Sequence, residues 1–209
     1  MSSKSAAGTS SPRPGCAGRV IIISGPSGSG KTTLHKALLQ SPKLKGRLVK
    51  TISATTRPKR PGERQGRDYL FLSPKVFEQR IAKGYFLEWE KVFDDYYGTP
   101  KRQVAEFLKK GKSVLLCIDV KGARHVRQQL FRAAGIFIKT PSMKVLRQRL
   151  KQRASESHDD LNFRLKVARQ ELKEAGKYEH VVVNDHLSTA CRKLERIVCR
   201  LLEDPQSGH

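Results

Sequence analysis

A run of five residues, Val20–Ser24, opens directly onto Gly-Pro-Ser-Gly-Ser-Gly-Lys-Thr at 25–32, and a helical pattern, Lys31–Gln40, follows at once. No other feature restricts this chain as much. G-x-x-x-x-G-K-[ST] between a strand and a helix is a phosphate-binding loop. Gly25, Gly28 and Gly30 let backbone N–H groups turn inward with no side chain in the way. Together with the helix N-terminus they make a site for anionic oxygens, and Pro26, Ser27 and Ser29 complete the loop. Lys31 would place an ammonium on a transferring phosphate, and the Thr32 hydroxyl, followed by Thr33, would hold magnesium. The competing reading is a Gly-rich turn with no ligand, which the strand–loop–helix setting disfavours. The motif points to a nucleoside triphosphate and leaves the fate of its phosphate open.

The rest of the chain repeats the rhythm of that first unit. Short apolar runs at 48–53, 113–119, 136–139 and 181–184 alternate with helical patterns at 101–110, 120–130, 142–153, 159–174 and 188–202. Continuous apolar strands separated by helices predict a parallel sheet covered on both faces, in a three-layer α/β fold with right-handed crossovers. One segment breaks the pattern. Between Ser53 and Thr99 lie two strand-like runs, 68–72 and 86–92, and a short helix with Ser73 as its cap and Pro74 at its first position. This predicts a small α+β insertion. A polar stretch at 151–161 between two helices predicts a lid, and both excursions read as mobile flaps on a rigid sheet. The expected division is a tail at 1–18, disordered and rich in Ser, Gly, Ala and Pro, and a domain at 19–205. Within that domain the core would be 19–51, 103–142 and 173–205, the insertion 52–102 and the lid 143–172.

Composition narrows the function classes. The 209 residues carry 42 Lys plus Arg against 19 Asp plus Glu, a net charge of +23. That surplus would suit nucleic acid, a membrane surface or a protein holding several phosphates. It is spread along the chain with no RNP, zinc-finger or arginine-repeat pattern, so no specific nucleic-acid partner is expected. No apolar run reaches the roughly 18 residues of a membrane span. The N-terminal residues have no apolar stretch of the kind a secretory signal needs. Four scattered cysteines with no C-x-x-C, and histidines that do not cluster, predict a reducing cytoplasmic setting without disulfide, zinc site or thiol nucleophile. Oligomeric state is left open, with a monomer favoured.

The acceptor side is more specific. Thr51-Ile-Ser-Ala-Thr-Thr-Arg-Pro-Lys-Arg60 leads into Pro61-Gly-Glu-Arg-Gln-Gly-Arg-Asp-Tyr69, and later come Phe86-Leu-Glu-Trp89, Tyr96-Tyr-Gly-Thr99 and Ile118-Asp119. This pattern resembles the guanylate kinase family over about residues 19–202. The resemblance implies Mg-dependent transfer of the γ-phosphate of ATP to GMP or dGMP, in purine nucleotide metabolism. It implies that Arg57, Arg60, Tyr69 and Tyr97 hold the acceptor phosphate, and that Ser53, Glu88, Thr99 and Asp119 read guanine. It further implies that Arg153 and Arg164 close over the transferring phosphate and that Asn184 lies beside adenine.

Donor and acceptor chemistry agrees with those roles. Guanine presents N1–H and N2–H₂ donors and an O6 acceptor. Carboxylates at Glu88 and Asp119 only accept, and hydroxyls at Ser53 and Thr99 can donate to O6. Adenine N1 would face a carboxylate with no proton between them, which disfavours AMP. Paired arginines give planar forked donors that lysine does not match. Taken singly, Glu88 reads as a solvated strand residue, Tyr69 and Tyr97 as packing, and Arg153 and Arg164 as helix-face charges; the combination overturns these readings. Asp119, ending an apolar strand, already suggests magnesium or nucleotide duty. Cys117 stands where relatives usually have an acid, Ala154 where the lid usually has Gly, Ala54 where a small polar residue or His is usual, and His186 where an acid is usual. Two rival readings remain open here: a non-catalytic scaffold of the same fold, and a P-loop kinase for another phosphorylated acceptor.

Overall fold

A computed structural model of the chain describes residues 18–92, 94–130, 133–153 and 158–203; the tail expected at 1–18 lies, but for Gly18, outside the described residues, as does Ala154. The described elements are β1 (Val20–Ser24), α1 (Lys31–Gln40), β2 (Leu48–Lys50), β3 (Ala54–Thr55), β4 (Leu70–Phe71), α2 (Pro74–Ala82), β5 (Phe86–Val92), β6 (Asp95–Pro100), α3 (Lys101–Lys109), β7 (Ser113–Cys117), α4 (Val120–Gln129), β8 (Ala133–Lys139), α5 (Met143–Arg153), α6 (His158–Lys173), β9 (His180–Val183) and α7 (Leu187–Glu203), with a 3₁₀ turn at Glu174–Lys177.

β1, β2, β7, β8 and β9 form a wholly parallel sheet in the order β2-β7-β1-β8-β9. β1 is buried along its whole length. Its side chains alternate between two cores, as a central strand with both faces covered requires. Ile21 and Ile23 pack with Leu34 and Leu38 of α1 and with Leu194 and Val198 of α7. Val20 and Ile22 pack with Val104 of α3 and with Ala123 and Val126 of α4. The three-layer α/β architecture is therefore as the alternating pattern predicted.

The insertion is a four-stranded mixed sheet, in the order β4-β3-β6-β5, backed by α2. α2 begins as read from the sequence: the Ser73 hydroxyl accepts from the Val76 N–H and Pro74 opens the helix. Its Phe77 stacks on Phe86 and Tyr96 with ring centroids 4.4 and 5.2 Å away. Two strands escaped the sequence reading. β3 has only two residues, and β6 contains Asp, Gly and Pro, which disfavour strands locally. β6 exists because β3 and β5 pair with its two edges. The runs expected at 48–53, 68–72 and 113–119 shrink to β2, β4 and β7, and β8 starts three residues earlier than the apolar run did.

α5 and α6, in the stretch expected to be a lid, pack around Leu146, Leu150, Leu161, Leu165 and Ala168. Leu146 and Leu150 also rest against the phosphate loop. A Cβ on Gly28 would lie 3.1–3.2 Å from their side chains.

Candidate active site

The phosphate loop hangs between β1 and α1. Gly25, Gly28 and Gly30 have φ values of 135°, 83° and 93°, a region open to glycine and strained for other residues. Space adds a second reason at two of them. A Cβ on Gly25 would lie 2.1 Å from the Ile138 carbonyl oxygen, and one on Gly30 would lie 2.1 Å from Asn184 Nδ2. Asn184, expected at the adenine, is buried and donates through Nδ2 to the Ser29 carbonyl at 2.8 Å. It thus locks the loop from across the sheet. Lys31 curls back and donates through Nζ to the carbonyls of Gly25 (2.5 Å) and Pro26 (2.9 Å). Pro26 and Ser29 are buried, whereas Ser27, Thr32 and Thr33 are exposed.

A cavity of about 310 Å³ opens beside the loop, lined by Gly28, Gly30, Thr33, Arg149, Gln152, Asn184, Asp185 and Leu187. Arg149, Gln152 and Leu187 were not singled out from sequence. Arg149 lies one helical turn before Arg153 on α5, and that i, i+4 spacing was the available signal. Its guanidinium donates to the Asn184 carbonyl at 3.0 Å. Arg153 ends α5, and its side chain lies outside the described residues. Arg164 is half-buried on α6, on the face that carries Leu161, Leu165 and Ala168.

Across the cleft, the arginine and tyrosine residues expected at an acceptor phosphate come together. Arg57 lies 5.6 Å from the Tyr69 ring centroid. Tyr69 meets Tyr97 edge-on at 6.3 Å. Burial raises the Tyr69 hydroxyl above its ordinary pKa, with the Tyr97 and Cys117 charges adding to this, so it remains a donor. A partner unassigned in the sequence reading sits among them. Glu63 accepts two hydrogen bonds from Arg57 Nη2, at 2.9 and 3.0 Å, and one from the Arg60 backbone N–H at 2.8 Å. Burial pulls the Arg57 guanidinium down, but the hydrogen bond and charge of Glu63 outweigh it and hold its pKa above the usual value. Glu63 in turn is held below the carboxylate range, first by its hydrogen bond with Arg57. The Arg60 side chain is exposed. Glu63 lies inside the Thr-Thr-Arg…Gly-Glu run, and its place there was the only signal.

The residues expected to read the base line the next part of the same wall. Glu88 is 6% exposed, and the Thr99 hydroxyl donates to its Oε1 at 2.5 Å. Burial pushes the Glu88 carboxyl up to about 7, the Thr99 hydrogen bond works against that, and the charge of Asp119 reinforces it. In this state Thr99 donates to Glu88, in place of the O6 contact expected for it. Asp119 lies two residues beyond the end of β7. It caps α4, its Oδ1 accepting from the N–H groups of Lys121 (2.8 Å) and Gly122 (2.9 Å). A Cβ on Gly122 would come within 2.6 Å of Glu88 Oε2, so this glycine lets α4 lie directly against Glu88. Ser53 is half-buried just before β3, and its carbonyl accepts from the Leu70 N–H at 2.9 Å.

A further carboxyl, Glu171 of α6, is pushed up to about 7 by burial, with Lys31 opposing and Asp119 adding to the shift. The Cys117 thiol, at the position where an acid was noted as usual, is raised by burial against the pull of Lys31. It stays a neutral thiol at pH 7.

A family model described as guanylate kinase matches residues 17–201. The guanylate kinase of Rubrobacter xylanophilus is 48% identical over 148 residues, covering 71% of this chain and 76% of that protein. The guanylate kinase of Caldanaerobacter subterraneus subsp. tengcongensis is 46% identical over 149 residues, 71% of each chain. A crystal structure of guanylate kinase from Anaplasma phagocytophilum matches with a TM-score of 0.72 at 28% identity, over 90% of this chain and 88% of that one.

Proposed function

The chain belongs to the guanylate kinase family and carries out ATP-dependent phosphorylation of GMP to GDP, and we propose that the two walls of the cleft divide the work as follows. The loop at 25–33 takes the phosphates of ATP, with adenine in the cavity beside Asn184 and Arg149. Arg57, Arg60, Tyr69 and Tyr97 take the phosphate of GMP. Arg57 exchanges part of its pairing with Glu63 for the substrate, and Glu63 keeps the guanidinium aimed. Glu88, Asp119, Ser53 and Thr99 take guanine. To accept from N1–H and N2–H₂, Glu88 gives up the proton that burial favours.

An oxygen of the GMP phosphate then attacks the γ-phosphorus in line, and ADP leaves. No protein nucleophile is required. Lys31 leaves its loop carbonyls to follow charge onto the β- and γ-oxygens. Arg153 and Arg164 of the lid close over the transferred group, and closure excludes water that would otherwise hydrolyse ATP. The oxygen donors near Lys31 suit a hard divalent cation: the exposed Thr32 hydroxyl, with the carboxyls of Glu171 and Asp119 close enough to feel each other's charge. Magnesium held there would supply charge neutralisation on the phosphates. A cytoplasmic location fits the free thiols of Cys117, Cys191 and Cys199, as a reducing compartment would keep them.

One observation carries the assignment of the acceptor site. The arginine–tyrosine cluster and the buried Glu88–Thr99 pair occupy one wall side by side, which supports reading one as the phosphate end and the other as the base end. A coupled ADP-release assay across GMP, dGMP, AMP, CMP and UMP tests it. Turnover with guanine nucleotides far above the others is expected, and equal turnover with AMP would refute it.

A further inference from the structure

Glu90 has no part in the roles above, yet it projects from the same wall. β5 and β6 pair with Glu88 opposite Thr99 and Glu90 opposite Tyr97. Paired residues of an antiparallel ladder project to one face, and neighbours along a strand to opposite faces. The opposite face confirms the alternation: Trp89 and Tyr96 meet there edge-on, and Tyr96 stacks on Phe77 of α2. Glu88, Thr99, Glu90 and Tyr97 therefore share the substrate face. Glu88 and Thr99 stand at the base end. Tyr97 turns its ring toward Tyr69 and Arg57, at the phosphate end. Glu90 lies about 7 Å further along β5 than Glu88, in the direction of the phosphate cluster. A nucleotide lying base-to-phosphate along this wall carries its sugar across that interval.

The chemistry of Glu90 suits the sugar. Its side chain is 17% exposed and feels the charges of Asp119, Lys121 and His125 along the flank of α4. Lys121 Nζ is 3.9 Å away on a side chain 73% exposed. That is beyond hydrogen-bonding distance and a weak surface pair. A carboxylate offers about four acceptor positions, so this pair leaves capacity for a donor. Ribose hydroxyls are donors, and the 2′-hydroxyl is what a deoxynucleotide lacks.

We propose that the Glu90 carboxylate accepts a hydrogen bond from a ribose hydroxyl of bound GMP and makes the enzyme prefer the ribonucleotide to a deoxynucleotide. This rests on the acceptor-site reading above. The test compares kcat/KM for GMP, 2′-deoxy-GMP and 3′-deoxy-GMP in the unaltered chain and in Glu90→Ala, Glu90→Gln and Lys121→Ala. The unaltered chain is expected to favour GMP over one deoxy analogue by about tenfold or more, the size of a charge-assisted hydrogen bond; which analogue suffers identifies the hydroxyl. Glu90→Ala should abolish that preference by lowering GMP use and leaving the disfavoured analogue unchanged. Glu90→Gln, whose amide oxygen still accepts, should keep part of it, and Lys121→Ala should keep all of it. Equal use of the three nucleotides by the unaltered chain, or an unchanged preference in Glu90→Ala with GMP turnover intact, overturns the proposal. Absence of GMP turnover in the unaltered chain would sink the acceptor-site reading itself, a separate and recognisable failure.

Discussion

In the proposed reading, the ATP phosphates meet a wall made chiefly of loop backbone, and GMP meets a wall made of side chains. The loop at 25–32 depends on three positive-φ glycines, two of which leave no room for a Cβ. It is anchored to a strand buried on both faces. The GMP wall stands on a four-stranded sheet whose buried apolar centre is Ala54, Phe77 and Phe86. Its working parts are long side chains held by one another: Arg57 by Glu63, Glu88 by Thr99, Asp119 by the end of α4. Phosphate is common to all nucleotides, and backbone amides suffice to bind it. A base is told from another only by a pattern of donors and acceptors, which side chains must supply.

The largest effect is expected where that comparison is most exposed, at the lysine proposed to follow charge onto the phosphates of ATP. Lys31→Met should lower turnover by roughly 100-fold or more, comparable to losing a preorganised donor at a developing charge. Lys31 is half-buried, and its Nζ donates to the loop carbonyls of Gly25 and Pro26, so thermal melting should barely change. Turnover within tenfold of the parent would break the division of labour.

Arg57→Ala tests the phosphate end of the other wall. It removes charge-assisted hydrogen bonds of about 1.5–3 kcal/mol each. It also leaves Glu63 facing the phosphate without its partner. We expect kcat/KM to fall by roughly 100-fold for GMP and AMP alike, because both carry the phosphate. A selective loss for GMP would place Arg57 at the base instead.

Glu88→Gln tests the base end. The amide keeps the shape but can donate to adenine N1. The GMP-to-AMP ratio in kcat/KM should fall by about tenfold to a hundredfold, with acceptor-phosphate binding retained. An unchanged ratio would remove Glu88 from base reading.

The smallest effect sharpens the same point through pH. With its carboxyl raised to about 7, Glu88 is neutral in the empty site below neutrality, whereas guanine requires the carboxylate. GMP affinity should therefore improve severalfold from pH 6 to pH 8. AMP, whose N1 can accept from the neutral acid, should move the other way. Stability has the opposite sign to GMP affinity. A carboxyl raised in the fold stabilises it below the ordinary value near 4.5, and that contribution is lost as pH rises through about 7. The thermal shift produced by GMP should thus be larger at pH 8 than at pH 6, measured by calorimetry in each buffer. Equal shifts would mean that Glu88 binds guanine in its neutral form.

Both walls were legible in the sequence to different depths. The loop, β1 and α1 stand where the motif and its flanking patterns put them, since all their determinants lie within about twenty residues. On the GMP wall the phosphate and base residues were named, but what holds them was not. Glu63 lay unremarked inside the motif, and Arg149 lay one turn from a named arginine. Gly122 was not singled out at all. Its reason emerges only from Glu88, on a strand more than thirty residues away.

What the sequence determined by itself is whatever short-range physics controls. The glycine spacing permits the anion loop, the apolar runs make a buried parallel sheet, and Ser73 with Pro74 starts α2. What the tertiary structure decided is whatever needs two distant segments at once. β6, with its Asp, Gly and Pro, becomes a strand only because β3 and β5 satisfy its backbone from both sides. Glu88 becomes a buried carboxyl raised to about 7 only when α4 closes over it. Glu90 enters the substrate face only through its register with Tyr97. Local propensity acts through neighbours in the chain, while burial, electrostatic shift and strand register act through neighbours in space, which the fold alone brings together.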